Sequence, residues 1–392
     1  MILRFQTAGE SHGQALVAIL SGIPAGLCVD FDYINRELKR RQGGYGRGAR
    51  MKIESDTAQF LSGVRHGRTI GSPITLLISN HDWENWKEAL AIEDRPETRA
   101  KHKSLTRPRP GHADLAGCLK YSFPEARYVL ERASARETAV RVAAGAVAKL
   151  FLKEFGVEVA SHVVAIGKVA LEDESVSFQK VLALRAVEDI VLGCVDPTVE
   201  AHMKEEVDRA LEARDTVGGT FEVIAHGVPP GLGSCGQWDE RLDGQLAQAV
   251  MSIQAVKAVE IGAGIEGASR PGSQVHDEIG YDREKSRFTR KSNRAGGLEG
   301  GISNAEDIVV RGYVKPISTL RRPLESVDFE TKEAVKAAYE RSDICVVPAA
   351  GVVGEAMVAL TISRAFLEKF GGDSMGETKR NYLAYMEQVK RF

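Results

Sequence analysis

The chain has 392 residues, 43% of them hydrophobic and 27% charged, enough to bury a full core in one large or two ordinary domains. A formal net charge of −2 excludes bulk attraction to nucleic acid or a membrane surface, so any basic site must be local. Five isolated cysteines (Cys28, Cys118, Cys194, Cys235 and Cys345) without a C-x-x-C exclude a disulfide framework and predict a reducing cytoplasm.

MILRFQTAGESHG at the start has too short an apolar stretch for a signal peptide and reads as a strand followed by a polar turn. Helical spacing then predicts a helix over DYINRELKRR, and SPITLLIS reads as a strand. ASARETAVRVAAGAVAKLFLKEFG carries the capping-box pattern Ser134-x-x-Glu137 and predicts a helix that stops at Gly156. Strands are predicted in EVASHVVAIGKV, GGTFEVIAHGV, VKAVEIGAG and EDIVVRGYVKPI, and helices over PTVEAHMKEEVDRALEAR, ERLDGQLAQAVMSIQ, FETKEAVKAAYERS and GEAMVALTISRAFLEKFGG. The most apolar segment, residues 344–362, contains Pro348, glycines and Glu355, which are expected to break it and exclude a membrane span. Helices and strands do not alternate regularly and several strands have hairpin-like spacing, so the fold class expected is α+β, with antiparallel sheets in a single large domain over residues 1–392.

Three stretches concentrate cations. RRQGGYGRGARMK at 40–52 has five and no acid, which fits a single-strand nucleic-acid contact, a solvated loop, or a glycine-hinged lid bringing Arg41 and Arg47 over a polyanion. Residues 99–112 hold Arg99, Lys101, Lys103, Arg107 and Arg109 with His102 and His112. Within it, Pro108 and Pro110 keep the arginines extended. YVLERASARET adds Arg127, Arg132 and Arg136 at the start of a helix, where free N–H groups favour an anion. Three such clusters in a near-neutral chain predict a ligand with several phosphate or carboxylate groups, the anions that guanidinium forks suit.

Other motifs narrow the choice. GAGIEG at 262–267 matches G-x-G-x-x-G, but Ser269-Arg270-Pro271-Gly272 follows at once, so the helix that a dinucleotide fingerprint must open is missing and an NAD-dependent dehydrogenase is disfavoured. Tyr45 is the sole ring in the basic runs, too little for a nucleic-acid stacking platform. The nine histidines show no metal-ligand spacing, and no metal is expected. His12, bracketed by Gly9 and Gly13, has little packing value where it stands and is a site candidate.

Taken in order, GESHG (9–13), RRQGGYGRGARM (40–51), RPGHAD (109–114), ERASARETA (131–139), SIQAVKAVEIG (252–262), SNRAGGLEGGISN (292–304), KPIST (315–319) and ERSDICVVPAAGVVGEAM (340–357) resemble the chorismate synthase family along essentially the whole chain. The resemblance implies a helical layer between antiparallel sheets and the conversion of 5-enolpyruvylshikimate 3-phosphate to chorismate and phosphate. This is a 1,4-anti elimination that uses reduced FMN with no net redox change and ends the shikimate pathway. It implies that His112 protonates or hydrogen-bonds the departing phosphate, that His12 manages charge beside the reduced flavin, and that Asp343 relays the proton by way of flavin N5. Substrate contacts are implied for Arg41, Arg47, Arg107, Arg132 and Arg136. FMN contacts are implied for Arg132, Ala133, Ser134, Gln254, Ala255, Gly300, Lys315, Pro316, Ile317, Ser318, Thr319 and Arg341. Arg109 is left open between touching ligand and pairing with Asp114. Ala133 and Ala305 stand where the family commonly has Ser and Gly, which removes one hydroxyl from the flavin or substrate contacts. A homotetramer is implied, and with no dedicated nicotinamide site for NADPH, a separate flavin reductase is the expected electron source.

Overall fold

The computed structural model describes residues 2–48, 55–172, 176–187, 191–284, 286–340 and 343–392. Alternating apolar residues build its sheets: in Ile74–Ser79 the side chains of Ile74, Leu76 and Ile78 are buried while the residues between them are not, the period of a half-buried strand. A first sheet consists of β1 (Arg4–Ala8), β2 (Ala15–Ser21), β3 (Gln59–Ser62) and β4 (Ile74–Ser79) in the order β1-β2-β4-β3. A second consists of β5 (Glu158–Ile166), β6 (Val169–Ala170), β7 (Gly219–His226), β8 (Val256–Ile261) and β9 (Ile308–Val314) in the order β8-β9-β7-β5-β6. Every pairing in both is antiparallel.

Helices fill the space between. The main ones in chain order are α1 (Phe31–Gln42), α2 (Asp114–Tyr121), α3 (Arg127–Ala133), α4 (Thr138–Lys153), α5 (Pro197–Glu212), α6 (Leu242–Met251), α7 (Val347–Phe370) and α8 (Met375–Lys390). α4 packs on β2 and β4, α7 packs on β5 and β7, and the two helices pack on each other. The result is the α+β arrangement expected, a helical layer with an antiparallel sheet on each side.

Three local expectations are corrected. Within residues 344–362 the chain is not broken by Pro348, the glycines or Glu355: α7 runs unbroken from Val347 because Pro348 lies in its first turn, where no N–H is needed, and its glycines admit close neighbours. A Cβ on Gly354 would meet Phe221 Cε2 at 2.6 Å, and one on Gly145 of α4 would meet Ala356 Cβ at 2.3 Å. Among the described residues α7 is the one helix long and apolar enough to cross a membrane, and it is packed inside the protein. The Ser134 capping box does not form. Ser134 caps the short 3-10 turn Ala135–Glu137, α4 begins at Thr138, and Glu137 turns away to Thr7 and Arg141. Finally, the described part of FETKEAVKAAYERS, residues 329–340, is not a helix: Ala334–Lys336 pairs antiparallel with Glu325–Val327, and the N–H groups of Ala337 and Ala338 reach Leu324 O and Arg107 O. Pairing across the chain overrides a good local helix propensity there.

Candidate active site

A cavity of about 760 Å³ opens where loops from both sheets meet the first turns of α7. Its floor is apolar, formed by Val346, Ala349, Ala350 and Val353, and its walls are cationic. The turn after β1 supplies His12, the end of α1 supplies Arg41, and the loop before α2 supplies Arg109 and His112. The α3–α4 junction adds Ala133, Ser134 and Arg136; the α6–β8 turn adds Gln254 and Ala255; the chain after β9 adds Lys315, Ile317, Ser318 and Thr319.

Each histidine is held by a carboxylate at Nδ1. His112 Nδ1 lies 2.5 Å from Asp114 Oδ1, and Asp114 also takes the Arg109 N–H, Nε and Nη2 at 3.0, 2.8 and 3.0 Å. Burial alone would raise the Asp114 pKa, but hydrogen bonds from His112 and Arg109 outweigh it and hold the carboxyl well below the ordinary range. A carboxylate at Nδ1 assigns the proton there and leaves Nε2 as the second, chemically available nitrogen. Arg109 is therefore paired with Asp114, and it also lines the cavity. His12 Nδ1 lies 3.0 Å from Glu131 Oε2, whose pKa is lowered against its burial by His12 and Arg127. The imidazole stacks on Trp86 with centroids 4.1 Å apart.

The third group is a cluster of guanidiniums. Arg136 Nη1 binds both Asp56 oxygens at 2.7 and 2.8 Å, and its Nε donates to Asn80 Oδ1. Arg41 reaches Asp56 only at 3.5 Å and donates to Thr138 Oγ1 and Ala135 O instead. Burial first, then Arg136 and Arg47 against Asp56, push the Arg41 pKa down to about 9. Arg47 pairs with Asp343 at 3.1 Å, and the other Asp343 oxygen accepts the Gly48 N–H at 2.5 Å. Positive charge is thus held in excess at low dielectric, which an incoming anion relieves.

Of the residues expected from sequence, the cavity wall brings together His12, Arg41, Arg47, His112, Ala133, Ser134, Arg136, Gln254, Ala255, Lys315, Ile317, Ser318, Thr319 and Asp343. It does not include Arg107, Arg132, Pro316 or Gly300. Arg132 is tied to Thr7 and Gly9 beside the cavity, Arg107 and Pro316 are exposed, and Gly300 lies in the Leu298–Ser303 hairpin. Arg341 lies outside the described residues. Sequence reasoning missed Asp56, Asn80 and Trp86, whose partners come from distant parts of the chain.

An apolar-floored cavity with surplus cations and two carboxylate-held histidines, on a sheet–helix–sheet scaffold, defines an enzyme site for a polyanionic small molecule. Comparison with known proteins makes this specific. The sequence model of the family described as chorismate synthase matches residues 3–367. The chain is 64% identical to the chorismate synthase of Acidobacterium capsulatum, 63% identical to that of Koribacter versatilis and 57% identical to that of Geobacter sulfurreducens, each over 100% of both chains. A crystal structure titled as a chorismate synthase superposes with a TM-score of 0.80 at 45% identity, covering 100% of this chain and 99% of that one. The chain belongs to the chorismate synthase family.

Proposed function

We propose that this chain eliminates phosphate from 5-enolpyruvylshikimate 3-phosphate to give chorismate, the last step of the shikimate pathway, with reduced FMN bound beside the substrate. The observation that carries the reading is His112, held by a buried carboxylate at the edge of a cavity whose cations outnumber its acids. The substrate's phosphate and two carboxylates find partners in Arg41, Arg47 and Arg136, which can form paired N–H contacts to planar and tetrahedral oxyanions. As the carbon–oxygen bond to phosphate lengthens, His112 donates a proton from Nε2 to the departing oxygen. Asp114, accepting at Nδ1, stabilises the imidazolium that makes this donation. His12, oriented in the same way by Glu131, would manage charge beside the reduced flavin. Asp343, fixed by Arg47 and the Gly48 N–H, would relay the proton lost from the ring by way of flavin N5.

The residues suit FMN. The cavity is of cofactor size, and Gln254 Oε1 is a buried acceptor without a partner among the described residues. Gln254, Ala255, Ser134, Lys315, Ile317, Ser318 and Thr319 would hold it, with Ala133 offering a backbone N–H in place of a hydroxyl; Arg132, Pro316, Gly300 and Arg341 complete the proposed contacts. Held by these residues, reduced FMN would supply transient electron donation to the substrate without net oxidation. The reading extends to one 392-residue domain, a homotetramer, electrons from a separate flavin reductase, and a cytoplasmic location in keeping with free cysteines.

Anaerobic turnover with pre-reduced FMN tests the assignment. Wild type is expected to release phosphate from the substrate only when the flavin is reduced. His112→Ala is expected to lower kcat by about 10²- to 10⁴-fold with FMN binding essentially intact. Near wild-type turnover in that variant contradicts the role given to His112.

A further inference from the structure

We infer that Lys103 is a ligand contact of the cavity, parked on Trp86 and transferred to an oxyanion of the bound molecule. Among the described residues six lysine and arginine side chains line the cavity: Arg41, Arg47, Lys103, Arg109, Arg136 and Lys315. Four are matched to carboxylates, Arg41 and Arg136 to Asp56, Arg47 to Asp343, and Arg109 to Asp114. Lys315 donates to Gly111 O at 2.6 Å. Lys103 differs from all of them, because its ammonium lies 3.8 Å from the Trp86 ring centroid and has no carboxylate partner among the described residues.

The perch is built and the lysine on it is not locked. Trp86 is fixed by its Nε1–H to Asp82 Oδ2 at 3.1 Å and by its stack on His12. A second cation, Arg127, stands 5.2 Å from the same ring, but Glu131 and Glu340 pair with it at 3.3 and 3.1 Å. Among the described residues Lys103 is hydrogen-bonded through its main chain, its carbonyl accepting from Arg127 Nε at 3.0 Å, while its flexible side chain is exposed where it lines the cavity. A cation on an aromatic face is held more weakly than one hydrogen-bonded to a phosphate or carboxylate. An oxyanion entering beside His12 therefore captures the ammonium and strips it from Trp86. This movement would report occupancy of the cavity through the indole.

The proposal takes only the identity of its ligand from the function proposed above, and the oxyanion can come from the substrate or from the FMN phosphate. The chain has three tryptophans, so the test uses a Trp83→Phe, Trp238→Phe background in which Trp86 is the remaining fluorophore. Inorganic pyrophosphate, 5-enolpyruvylshikimate 3-phosphate and FMN are titrated separately, with Lys103 intact and as Lys103→Met, which keeps the apolar stem on the ring without its charge. Loss of one charge-assisted contact is expected to weaken the affected ligand by about 10- to 100-fold, to abolish the change in Trp86 emission, and to leave the unfolding midpoint unchanged. Lys103→Arg is expected to recover part of the affinity. Weakening confined to the substrate names it as the source of the oxyanion, and weakening confined to FMN names the cofactor phosphate; either result supports the proposal. Affinities within about twofold of wild type for all three ligands overturn it. Failure of the intact protein to bind the substrate, with pyrophosphate binding still dependent on Lys103, counts against the proposed function and for the lysine.

Discussion

Arg40 and Arg41 are consecutive on α1, yet they end in two different charge clusters. Arg40 joins Lys149 and Arg185 around Glu37 and Glu355; Arg41 joins Arg47 and Arg136 around Asp56 and Asp343. The formal charge is the same, three cations to two carboxylates. The electrostatics are opposite. Glu355 is fully buried and both its oxygens are saturated, Oε1 by Arg40 and Ser161 at 2.7 Å and Oε2 by Arg40, Lys149 and Arg185. Burial would lower the Arg40 pKa, but Glu355 and Glu37 outweigh it and raise it. In the cavity burial lowers the Arg41 pKa, and Asp56, taken closely by Arg136 and 3.5 Å from Arg41, does not restore it. Distance and saturation, more than charge count, separate a cluster that locks α1 to α7 from one that waits for an anion.

The largest effect is expected at the closed cluster. Glu355→Ala leaves buried Lys149 and half-buried Arg40 and Arg185 without their shared acceptor and is expected to cost about 3–5 kcal/mol of unfolding free energy in urea. A loss below about 1 kcal/mol would mean that the cluster is not what fixes α1. Next comes Asp114→Asn, which removes the negative charge that supports an imidazolium at His112 and pairs with Arg109. A drop in kcat of about 10- to 100-fold is expected, by analogy with lost carboxylate–histidine support, with substrate KM little changed.

Acid sensitivity should follow the closed cluster. Glu355 has a folded pKa well below its ordinary value of 4.5, burial being outweighed by Arg40, Lys149 and Arg185. A depressed acid pKa means that the unfolded chain binds the proton first, so this contribution is full above about pH 4.5 and is lost as the pH falls through the folded pKa. Urea midpoints measured between neutral and acidic pH should fall more steeply in wild type than in Glu355→Gln. The smallest effect is expected at Lys101 and Glu88, an ion pair with both partners more than half exposed. Lys101→Ala should change stability by less than about 0.5 kcal/mol and leave ligand binding alone, although Lys101 is only two residues from Lys103.

Much of this contrast was legible in the sequence, but not its decisive part. The periodicity over 32–41, 197–214, 240–254 and 354–372 and the alternation in 74–79 marked real elements, the helices 31–42, 197–212, 242–251 and the later part of 347–370 among them, because burial of one face imposes those periods. The 329–342 stretch misled because Lys, Glu and Ala favour helix wherever no partner strand competes, and here Glu325–Val327 does. The C-terminal helix carries a true capping box, Ser374 with Glu377, whose pattern was present and passed over. Cation clusters and the two histidines were visible as composition. Which way each cation points was not: neighbours on a helix diverge by about 100°, and their acceptors, Glu355 for Arg40 and Asp56 for Arg41, come from other parts of the chain. Trp86 was invisible as a site residue because nothing local ties it to His12.

The central claim is that the cavity cluster holds its cations loosely enough to take an anion while in its neighbour Glu355 is saturated. Arg41→Met tests it most directly, with unfolding free energy and calorimetric binding of 5-enolpyruvylshikimate 3-phosphate measured on the same FMN-loaded protein. Relief of guanidinium repulsion should offset most of the lost hydrogen bonds. Stability within about 1 kcal/mol of wild type and binding weaker by about 100-fold are therefore expected. Unchanged affinity, or a stability loss as large as that of Glu355→Ala, would contradict the account.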